Sequence, residues 1–248
     1  MSIDFPAAVR WVAFDLDDTL HFYRKASGRA SAAVFEYLDE EFGCGAGRLQ
    51  AAYAGILKDA QKGAFADGRT ARECRSERFG KLLVAFSIIP HRHLDRALDV
   101  YDDALAANLE LKEGAAALLQ DIKRAGRSIM VVTEGPHDAQ ETTISRLGIA
   151  PYVDLLVTSS REGLTKCGGL LKCALDKAGC APSAVIYVGD SVECDIAPAR
   201  ALGVRAIYAG EQDQAPEDVE TSASLADLTK LFSQGAQLLQ RKGQHVGS

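Results

Sequence analysis

The sequence lacks the features of membrane, secreted and nucleic-acid-binding proteins. No apolar run in its 248 residues reaches the roughly 18 residues that a membrane-spanning helix needs, and residues 1–10 contain no apolar signal-peptide core. No segment is rich in lysine and arginine, and the formal net charge of −6 argues against binding to nucleic acid or to an anionic membrane surface. We therefore expect a cytoplasmic protein that has neither of these partners.

Cysteine spacing excludes two further classes. The six cysteines include no Cys-x-x-Cys pair and follow the spacing of neither a disulfide framework nor a zinc site. We therefore expect reduced thiols, with Cys194 as a packing residue. A composition of 47% hydrophobic and 25% charged residues is ordinary for a globular protein, and 248 residues suffice for one α/β domain or for a core with an insertion.

Beyond residue 108 the chain alternates between short apolar runs and stretches with helical periodicity. Such alternation predicts a parallel sheet with right-handed crossovers, and the apolar run at 12–14 belongs to the same sheet. The predicted fold class is therefore α/β, with a Rossmann-like parallel sheet as its core. The predicted strands cover 12–14, 128–133, 154–158, 184–189 and 204–208. The predicted helices cover 113–125, 138–147, 169–177, a short stretch through 200, and 225–239.

Residues 22–108 separate the first strand from the second and show no strand pattern. Apolar residues recur there at helical spacing, Gly43 ends the first helical stretch and Pro90 ends the third. Four consecutive amphipathic helices predict a small helical bundle inserted after the first strand. The predicted domains are a core of residues 1–21 and 109–248 and a helical domain of residues 22–108.

Chemically reactive side chains cluster where the predicted strands end. In open parallel sheets, ligands bind beyond the carboxyl ends of the strands. A buried strand that runs into Asp-Leu-Asp-Asp brings repelling carboxylates together, and a divalent cation is the simplest way to offset that repulsion. The candidate residues at the strand ends are Asp15, Asp17, Thr133, Lys166, Asp190 and Asp195.

These residue types suit phosphoryl transfer through an aspartyl-phosphate. Asp15 can act as the nucleophile, and Asp17 can protonate the leaving oxygen and then activate water. A Mg²⁺ ion held by Asp15, Asp190 and a backbone carbonyl near Asp17 would neutralise the phosphate that Asp15 approaches. Thr133 and Lys166 offer a hydroxyl and an ammonium group to the phosphoryl oxygens.

Four motifs resemble those of the haloacid dehalogenase superfamily: FDLDDTL, VVT, a single Lys166 and VGDSVECDIAPARALG, in this order over residues 10–210. The resemblance implies that Asp15 is the nucleophile, that Asp17 is the general acid and base, and that Thr133 and Lys166 bind phosphate. It further implies that the inserted helices form a cap. Because the position of Asp17 is not acidic in the dehalogenases of this superfamily, Asp17 favours a phosphatase or a phosphomutase.

The resemblance also implies a metal site. The Mg²⁺ ligands would come from the side chains of Asp15 and Asp190 and from the backbone carbonyl of Asp17. Asp195 resembles the second acid of the fourth motif and is expected to support the site from behind the metal ligands.

Two positions depart from the usual pattern of the superfamily. The segment KCGG at 166–169 stands where many relatives follow the lysine with Pro-Asp-Pro, so Lys172 is an alternative phosphate-binding lysine. Glu134 stands where an uncharged residue is common, and an extra carboxylate there would disfavour highly anionic substrates or bind a substrate hydroxyl or amine. Of the neighbouring polar residues, we interpret Asp18 as a local cap and Thr19 as a support for the aspartate loop.

The sequence thus predicts a hydrolase of phosphate monoesters: a Mg²⁺-dependent phosphatase for a small phosphorylated metabolite, such as a phosphosugar, a phospho-acid or a nucleoside monophosphate. A phosphomutase of the same architecture is the first alternative. A 2-haloacid dehalogenase and a non-catalytic phospho-receiver are less favoured, since receivers place the phosphorylated Asp on a later strand and lack the helical insertion. The protein is expected to be a monomer or a homodimer.

Overall fold

A six-stranded parallel sheet forms the centre of the protein, whose computed structural model describes residues 6–60, 67–211, 215 and 217–228. The strands are β1 (Trp11–Phe14), β2 (Ser128–Thr133), β3 (Leu155–Thr158), β4 (Val185–Gly189), β5 (Arg205–Tyr208) and β6 (Glu220–Thr221). They lie in the order β3-β2-β1-β4-β5-β6. The strand order therefore reverses between β1 and β4, and such a switch point is where open α/β sheets bind ligands.

The central strand β1 is apolar on both faces, which is what burial between two layers requires. Val12 and Phe14 pack into one apolar cluster and Ala13 packs into another on the opposite face. Phe14 is in register with Val131 of β2 and with Val188 of β4. The residues that follow these three strands consequently meet at one edge of the sheet.

In the described part of residues 22–108, the chain forms four consecutive helices: α1 (Tyr23–Phe42), α2 (Ala46–Ala60), α3 (Ala71–Ala85) and α4 (Pro90–Asn108). Their buried side chains form an apolar cluster distinct from the two clusters that cover the sheet. The predicted helical insertion is confirmed, and the exact division of the chain into two domains stays a prediction.

Further helices cover the two faces of the sheet: α5 (Ala115–Arg124), α6 (His137–Arg146), α7 (Ser159–Glu162), α8 (Leu171–Ala178) and α9 (Ala197–Ala201). Leu118 and Ile122 of α5 pack on the face that contains Phe14, whereas Leu171 and Leu175 of α8 pack on the face that contains Ala13. The predicted α/β fold with a Rossmann-like parallel core is confirmed.

Three details differ from the predictions. Pro90 does not end the third helix: α3 ends at Ala85, and Pro90 is the first residue of α4, where no helical hydrogen bond needs its missing N–H. The short elements β6 and α7 were not predicted, because elements of two and four residues are too short to show a periodic pattern. Only residues 225–228 of the predicted last helix lie within the described residues. Among the described helices, none is long and apolar enough to cross a membrane.

Candidate active site

Asp15 follows β1 directly, and its carboxylate is almost completely buried, with the residue only 2% exposed. Its Oδ1 atom lies 2.5 Å from Nζ of Lys166, and its Oδ2 atom accepts a hydrogen bond from Oγ1 of Thr19 at 3.1 Å. Nζ of Lys166 also lies 2.7 Å from Oδ1 of Asp195. One buried ammonium group therefore bridges two buried carboxylates.

Burial and charge oppose each other in this cluster. Burial raises the pKa of Asp15 well above its usual value; Lys166 opposes the rise, whereas Asp195 and Asp17 add to it. Burial acts to lower the pKa of Lys166, but Asp15 and Asp195 outweigh it and the net shift is upward, so the ammonium group stays protonated. A nucleophilic Asp15 must be ionised, and this environment favours that form only when positive charge lies close to it.

Asp195 has both carboxylate oxygens occupied. Besides Lys166, its Oδ1 atom accepts a hydrogen bond from the hydroxyl of Tyr187 at 2.8 Å, and its Oδ2 atom accepts one from the backbone N–H of Ser191 at 3.0 Å. A side chain at Gly189 would collide with this carboxylate, so a glycine at the end of β4 is required for the close approach. These contacts agree with a supporting role, which remains a prediction.

Asp190 completes an acidic cluster with Asp15 and Asp195, in which carboxylate oxygens of the three residues lie within 4.8 Å of one another. Oγ1 of Thr19 lies 3.4 Å from Oδ1 of Asp190 and so reaches both Asp15 and Asp190, as expected for a support. Burial, and next the charge of Asp195, raise the pKa of Asp190. Crowded carboxylate oxygens of this kind can hold a divalent cation, and hard oxygen ligands are the ones that Mg²⁺ prefers.

The side chain of Asp17 is not part of this cluster of three carboxylates. Its Oδ1 atom lies 2.9 Å from Nε2 of His21, a residue with no exposed surface, and its Oδ2 atom accepts a hydrogen bond from the amide of Gln140 at 3.2 Å. The side chain of Asp17 keeps 24% of its surface exposed, unlike that of Asp15. The two aspartates therefore have different surroundings, as distinct roles in catalysis require.

Thr133 lies at the end of β2 and is linked to Asp17 through Gln140. The amide nitrogen of Gln140 lies 3.3 Å from Oγ1 of Thr133 and 2.9 Å from the carbonyl oxygen of Glu134. Neither Gln140 nor His21 was singled out from the sequence. His21 stands four residues after Asp17, a spacing that could have drawn attention to it, but no local pattern indicates Gln140.

Glu134 anchors the loop that carries Lys166. Its Oε1 atom accepts a hydrogen bond from the backbone N–H of Lys166 at 2.8 Å. This contact gives the Glu134 carboxylate a structural role that the sequence did not suggest. It holds in place the KCGG loop at 166–169, which lacks the Pro-Asp-Pro segment of many relatives. Lys172, the alternative lysine, has 64% of its side chain exposed and pairs with Asp176. The structure thus brings Lys166 to Asp15 and leaves Lys172 on the surface.

The structure also describes Asp18 and the cysteines, for which the sequence predicted a local cap and reduced thiols. Asp18 adopts a left-handed backbone with φ of 59° and binds the backbone N–H of Arg24, which agrees with a local cap. All six cysteines are free, and the Sγ atoms of Cys167 and Cys194 lie 3.2 Å apart.

Comparison with known protein families matches residues 9–203 to the model of the haloacid dehalogenase-like hydrolases. The chain belongs to this family. The predicted membership is confirmed, and so is the prediction of an enzyme of the hydrolase class.

Curated relatives of this haloacid dehalogenase-like hydrolase extend over nearly the whole chain. A ribulose-1,5-bisphosphate 5-phosphatase of Halopiger xanaduensis is 27% identical over 90% of this chain and 98% of its own length. The pyrimidine 5'-nucleotidase YjjG of Escherichia coli is 26% identical over 90% of this chain and 97% of its own length. Among solved structures, the magnesium-bound hydrolase YfnB of Bacillus subtilis superposes with a TM-score of 0.70 at 20% identity, over 90% of this chain and 98% of YfnB, which shows a common fold.

Proposed function

We propose that this protein is a Mg²⁺-dependent phosphatase that hydrolyses a small phosphorylated metabolite through an aspartyl-phosphate on Asp15. The position of Asp17 carries the proposal, because this second aspartate lies two residues from the buried Asp15, keeps part of its surface exposed and has contacts of its own with His21 and Gln140. Relatives that span the chain are phosphatases and nucleotidases, which supports hydrolysis of phosphate monoesters.

The chain's own residues divide the work of two steps. Asp15 attacks phosphorus while Asp17 gives a proton to the leaving alkoxide; Asp17 then accepts a proton from the water that cleaves the aspartyl-phosphate. Lys166 and Thr133 donate hydrogen bonds to the phosphoryl oxygens, on which charge is spread in the transition state. His21 and Gln140 hold the Asp17 carboxylate toward the leaving group.

Magnesium fits the residues that are present. Asp15 and Asp190, with the backbone carbonyl of Asp17, would hold the ion, and Asp195 lies within the same acidic cluster. When bound, Mg²⁺ supplies positive charge that favours ionised Asp15 and neutralises the substrate phosphate.

The alternatives are distinguished by particular residues. A dehalogenase has no leaving alkoxide to protonate and therefore no use for Asp17. A phospho-receiver lacks a helical insertion after its first strand, which here comprises α1 to α4. A phosphomutase would use the same residues as a phosphatase. The products formed from a hexose phosphate distinguish the two: an isomeric sugar phosphate indicates a phosphomutase, and free sugar with inorganic phosphate indicates a phosphatase.

The proposal is tested by phosphate release from para-nitrophenyl phosphate with Mg²⁺, with and without a chelator. We expect hydrolysis that requires the metal and falls by about four orders of magnitude or more in Asp15→Asn, as for removal of other catalytic nucleophiles. Asp121→Asn, at a partly exposed carboxylate that pairs with Arg124 on α5, is the matched control. A well-folded Asp15→Asn protein with full activity would refute the proposal.

A further inference from the structure

Two arginines on α3, Arg75 and Arg78, lie outside the machinery described above. We propose that they bind a second anionic group of the substrate, so that the preferred substrate is a phosphate monoester with a further phosphate or carboxylate at its opposite end. This inference rests on the proposed phosphatase function and specifies its substrate class.

The first turn of α3 is docked on the sheet domain. The backbone N–H of Ala71 donates to both carboxylate oxygens of Asp138 on α6, at 3.0 and 3.2 Å. Oγ of Ser160 donates to the carbonyl of Arg69, just before α3, at 3.2 Å. Since residues i, i+4 and i+7 share one helix face, Arg75 and Arg78 continue the face on which the docked Ala71 lies.

The three arginines of α3 differ in how their charge is balanced. Arg72 is 51% exposed and pairs with Asp95 at 2.9 Å. The side chain of Arg75 is 14% exposed, pairs with Asp102 at 2.5 Å and lies 4.8 Å from the ring centroid of Tyr101. Arg78 is half-buried, and its Nε atom donates to the carbonyl of Cys74 on its own helix at 3.2 Å. Among the described residues, no carboxylate lies within 4.0 Å of Arg78.

Arg78 therefore has terminal nitrogens that no described residue satisfies. These terminal nitrogens are not among the enclosed atoms that lack a partner, so they are accessible to a ligand. The fork of donors of a guanidinium group matches phosphate and carboxylate groups. The remaining contact, to a backbone carbonyl, supplies no negative charge. An anionic ligand is the partner that this side chain lacks.

Two largely buried tyrosines, whose hydroxyl oxygens stay accessible, accompany the arginines. Tyr53 and Tyr101 are each only 4% exposed, and in the described part of the chain neither hydroxyl has a hydrogen-bond partner. Burial raises the pKa of Tyr53 to about 12, and Arg78 and Arg75 offset part of that rise. Neither hydroxyl oxygen is among the enclosed side-chain atoms that lack a partner, so both open on accessible space, where a bound anion would accept hydrogen bonds from them as well as from Arg78.

The same cluster adjoins the acid that protonates the leaving group. Burial raises the pKa of Tyr101; Arg75 and Arg78 oppose the rise, while Asp102 and Asp17 add to it, so both arginines and Asp17 act on one phenol. The ring of Tyr23 lies edge-on to His21 at 6.0 Å, and His21 contacts Asp17. The helix that carries the arginines is docked on α6, and α6 also provides Gln140, which contacts Asp17. In this proposal the remainder of the substrate extends from Asp17 toward α3.

The test compares matched substrates that differ in the second anion alone. Ribulose 1,5-bisphosphate is compared with ribulose 5-phosphate, and 3-phosphoglycerate with glycerol 3-phosphate; the two pairs distinguish a phosphate from a carboxylate. In Arg78→Met, we expect the ratio of kcat/KM between the compound with two anionic groups and its partner with one to fall by about 10- to 100-fold in the preferred pair. This range corresponds to the free energy of a hydrogen bond to a charged group. Arg78→Lys should recover part of that ratio, and Arg72→Met should keep the wild-type ratio.

A second readout does not require turnover. Calorimetry on the Asp15→Asn protein should show tighter binding of the compound with two anionic groups than of its partner with one. Adding Arg78→Met should remove that difference. The inference is overturned if wild type prefers the partner compounds, or if Arg78→Met weakens both members of a pair equally. By contrast, failure of wild type to hydrolyse any of the four compounds or para-nitrophenyl phosphate would overturn the proposed function itself.

Discussion

The sheet edge and the α3 face both bury charge, but with opposite sign. At the sheet edge, Lys166 pairs with Asp15 and Asp195, and Asp190 adds a third carboxylate to their cluster, so negative charge is in excess. On α3, Arg75 pairs with Asp102, whereas no carboxylate of the described residues lies within 4.0 Å of Arg78, so positive charge is in excess. Each region therefore lacks a different ligand: a cation at the sheet edge and an anion on α3.

This difference separates reactivity from selectivity. The charged groups of the sheet edge are held by several contacts each, so they form a preorganised site that can stabilise a transition state. The arginines of α3 are held by fewer contacts, and changing them should alter which substrates bind more than how fast a bound phosphate reacts. Substitutions in the two regions should therefore separate loss of catalysis from loss of selectivity.

Asp17→Asn should cause the largest selective loss, because it removes the proton donor and leaves the nucleophile intact. We expect kcat/KM for an alkyl phosphate to fall by about 10²- to 10⁴-fold, the usual range for general acid catalysis. The loss for para-nitrophenyl phosphate should be smaller, since nitrophenolate leaves without a proton. Steady-state kinetics with both esters measures the difference.

The matched control is Asp18→Asn, which changes the adjacent carboxylate. Asp18 pairs with Arg24, whose side chain is 78% exposed, and we expect almost no selective effect. Equal losses for the alkyl and aryl esters in Asp17→Asn would contradict the assignment of Asp17 as the acid.

Lys166→Met should impair both catalysis and stability. Removal of one charged donor from such a site lowers kcat by about 10²- to 10³-fold. The free energy of unfolding should fall by about 3–5 kcal/mol, because Asp15 and Asp195 are left as buried carboxylates without their ammonium partner. Urea denaturation measures the second effect.

Lys172→Met provides the comparison for Lys166. Because Lys172 lies on the surface and pairs with Asp176 one turn away, its replacement should leave activity and urea midpoint close to wild type. If instead Lys172→Met abolished activity and Lys166→Met did not, the phosphate-binding lysine would have been assigned incorrectly.

Tyr187→Phe should reduce stability more than activity. It removes the hydroxyl that donates to Asp195 and leaves that carboxylate with Lys166 and the Ser191 N–H. A hydrogen bond to a charged group contributes about 1.5–3 kcal/mol, so we expect a loss of that size in thermal or urea unfolding. Tyr37→Phe is the control, since in the described structure no hydrogen bond to the Tyr37 hydroxyl is present. A loss in Tyr187→Phe no larger than in Tyr37→Phe would contradict the role of this hydrogen bond.

The sheet and its strand ends could be predicted because the information is local. Apolar runs such as that before Asp15 and that before Asp190 are visible in the sequence, and parallel strands bring their ends to one edge. The position of Pro90 was assigned wrongly because a proline suits both the end of one helix and the first turn of the next.

The contacts around Asp17 could not be predicted, because they depend on packing between segments distant in sequence. Gln140 lies 123 residues from Asp17 and approaches it only when α6 packs beside β2. The choice between Lys166 and Lys172 depended likewise on Glu134, whose carboxylate holds the Lys166 backbone. The unpaired state of Arg78 is also a tertiary property, since one arginine on an amphipathic helix resembles any other.

Asp138→Ala should give the smallest effect, and it tests whether α3 is held in place by the sheet domain. The variant removes the acceptor for the first backbone N–H of α3, and loss of a helix-capping interaction costs about 0.5–2 kcal/mol. We expect KM for a substrate with a second anionic group to rise a few-fold, whereas kcat for para-nitrophenyl phosphate should stay near wild type. The reason is that α3 carries Arg75 and Arg78 but none of the reacting groups. Asp121→Ala, with its carboxylate paired on α5, should change neither value. If kcat for both substrates fell together in Asp138→Ala, the position of α3 would control the reactive groups themselves, and the separation between the two regions would not hold.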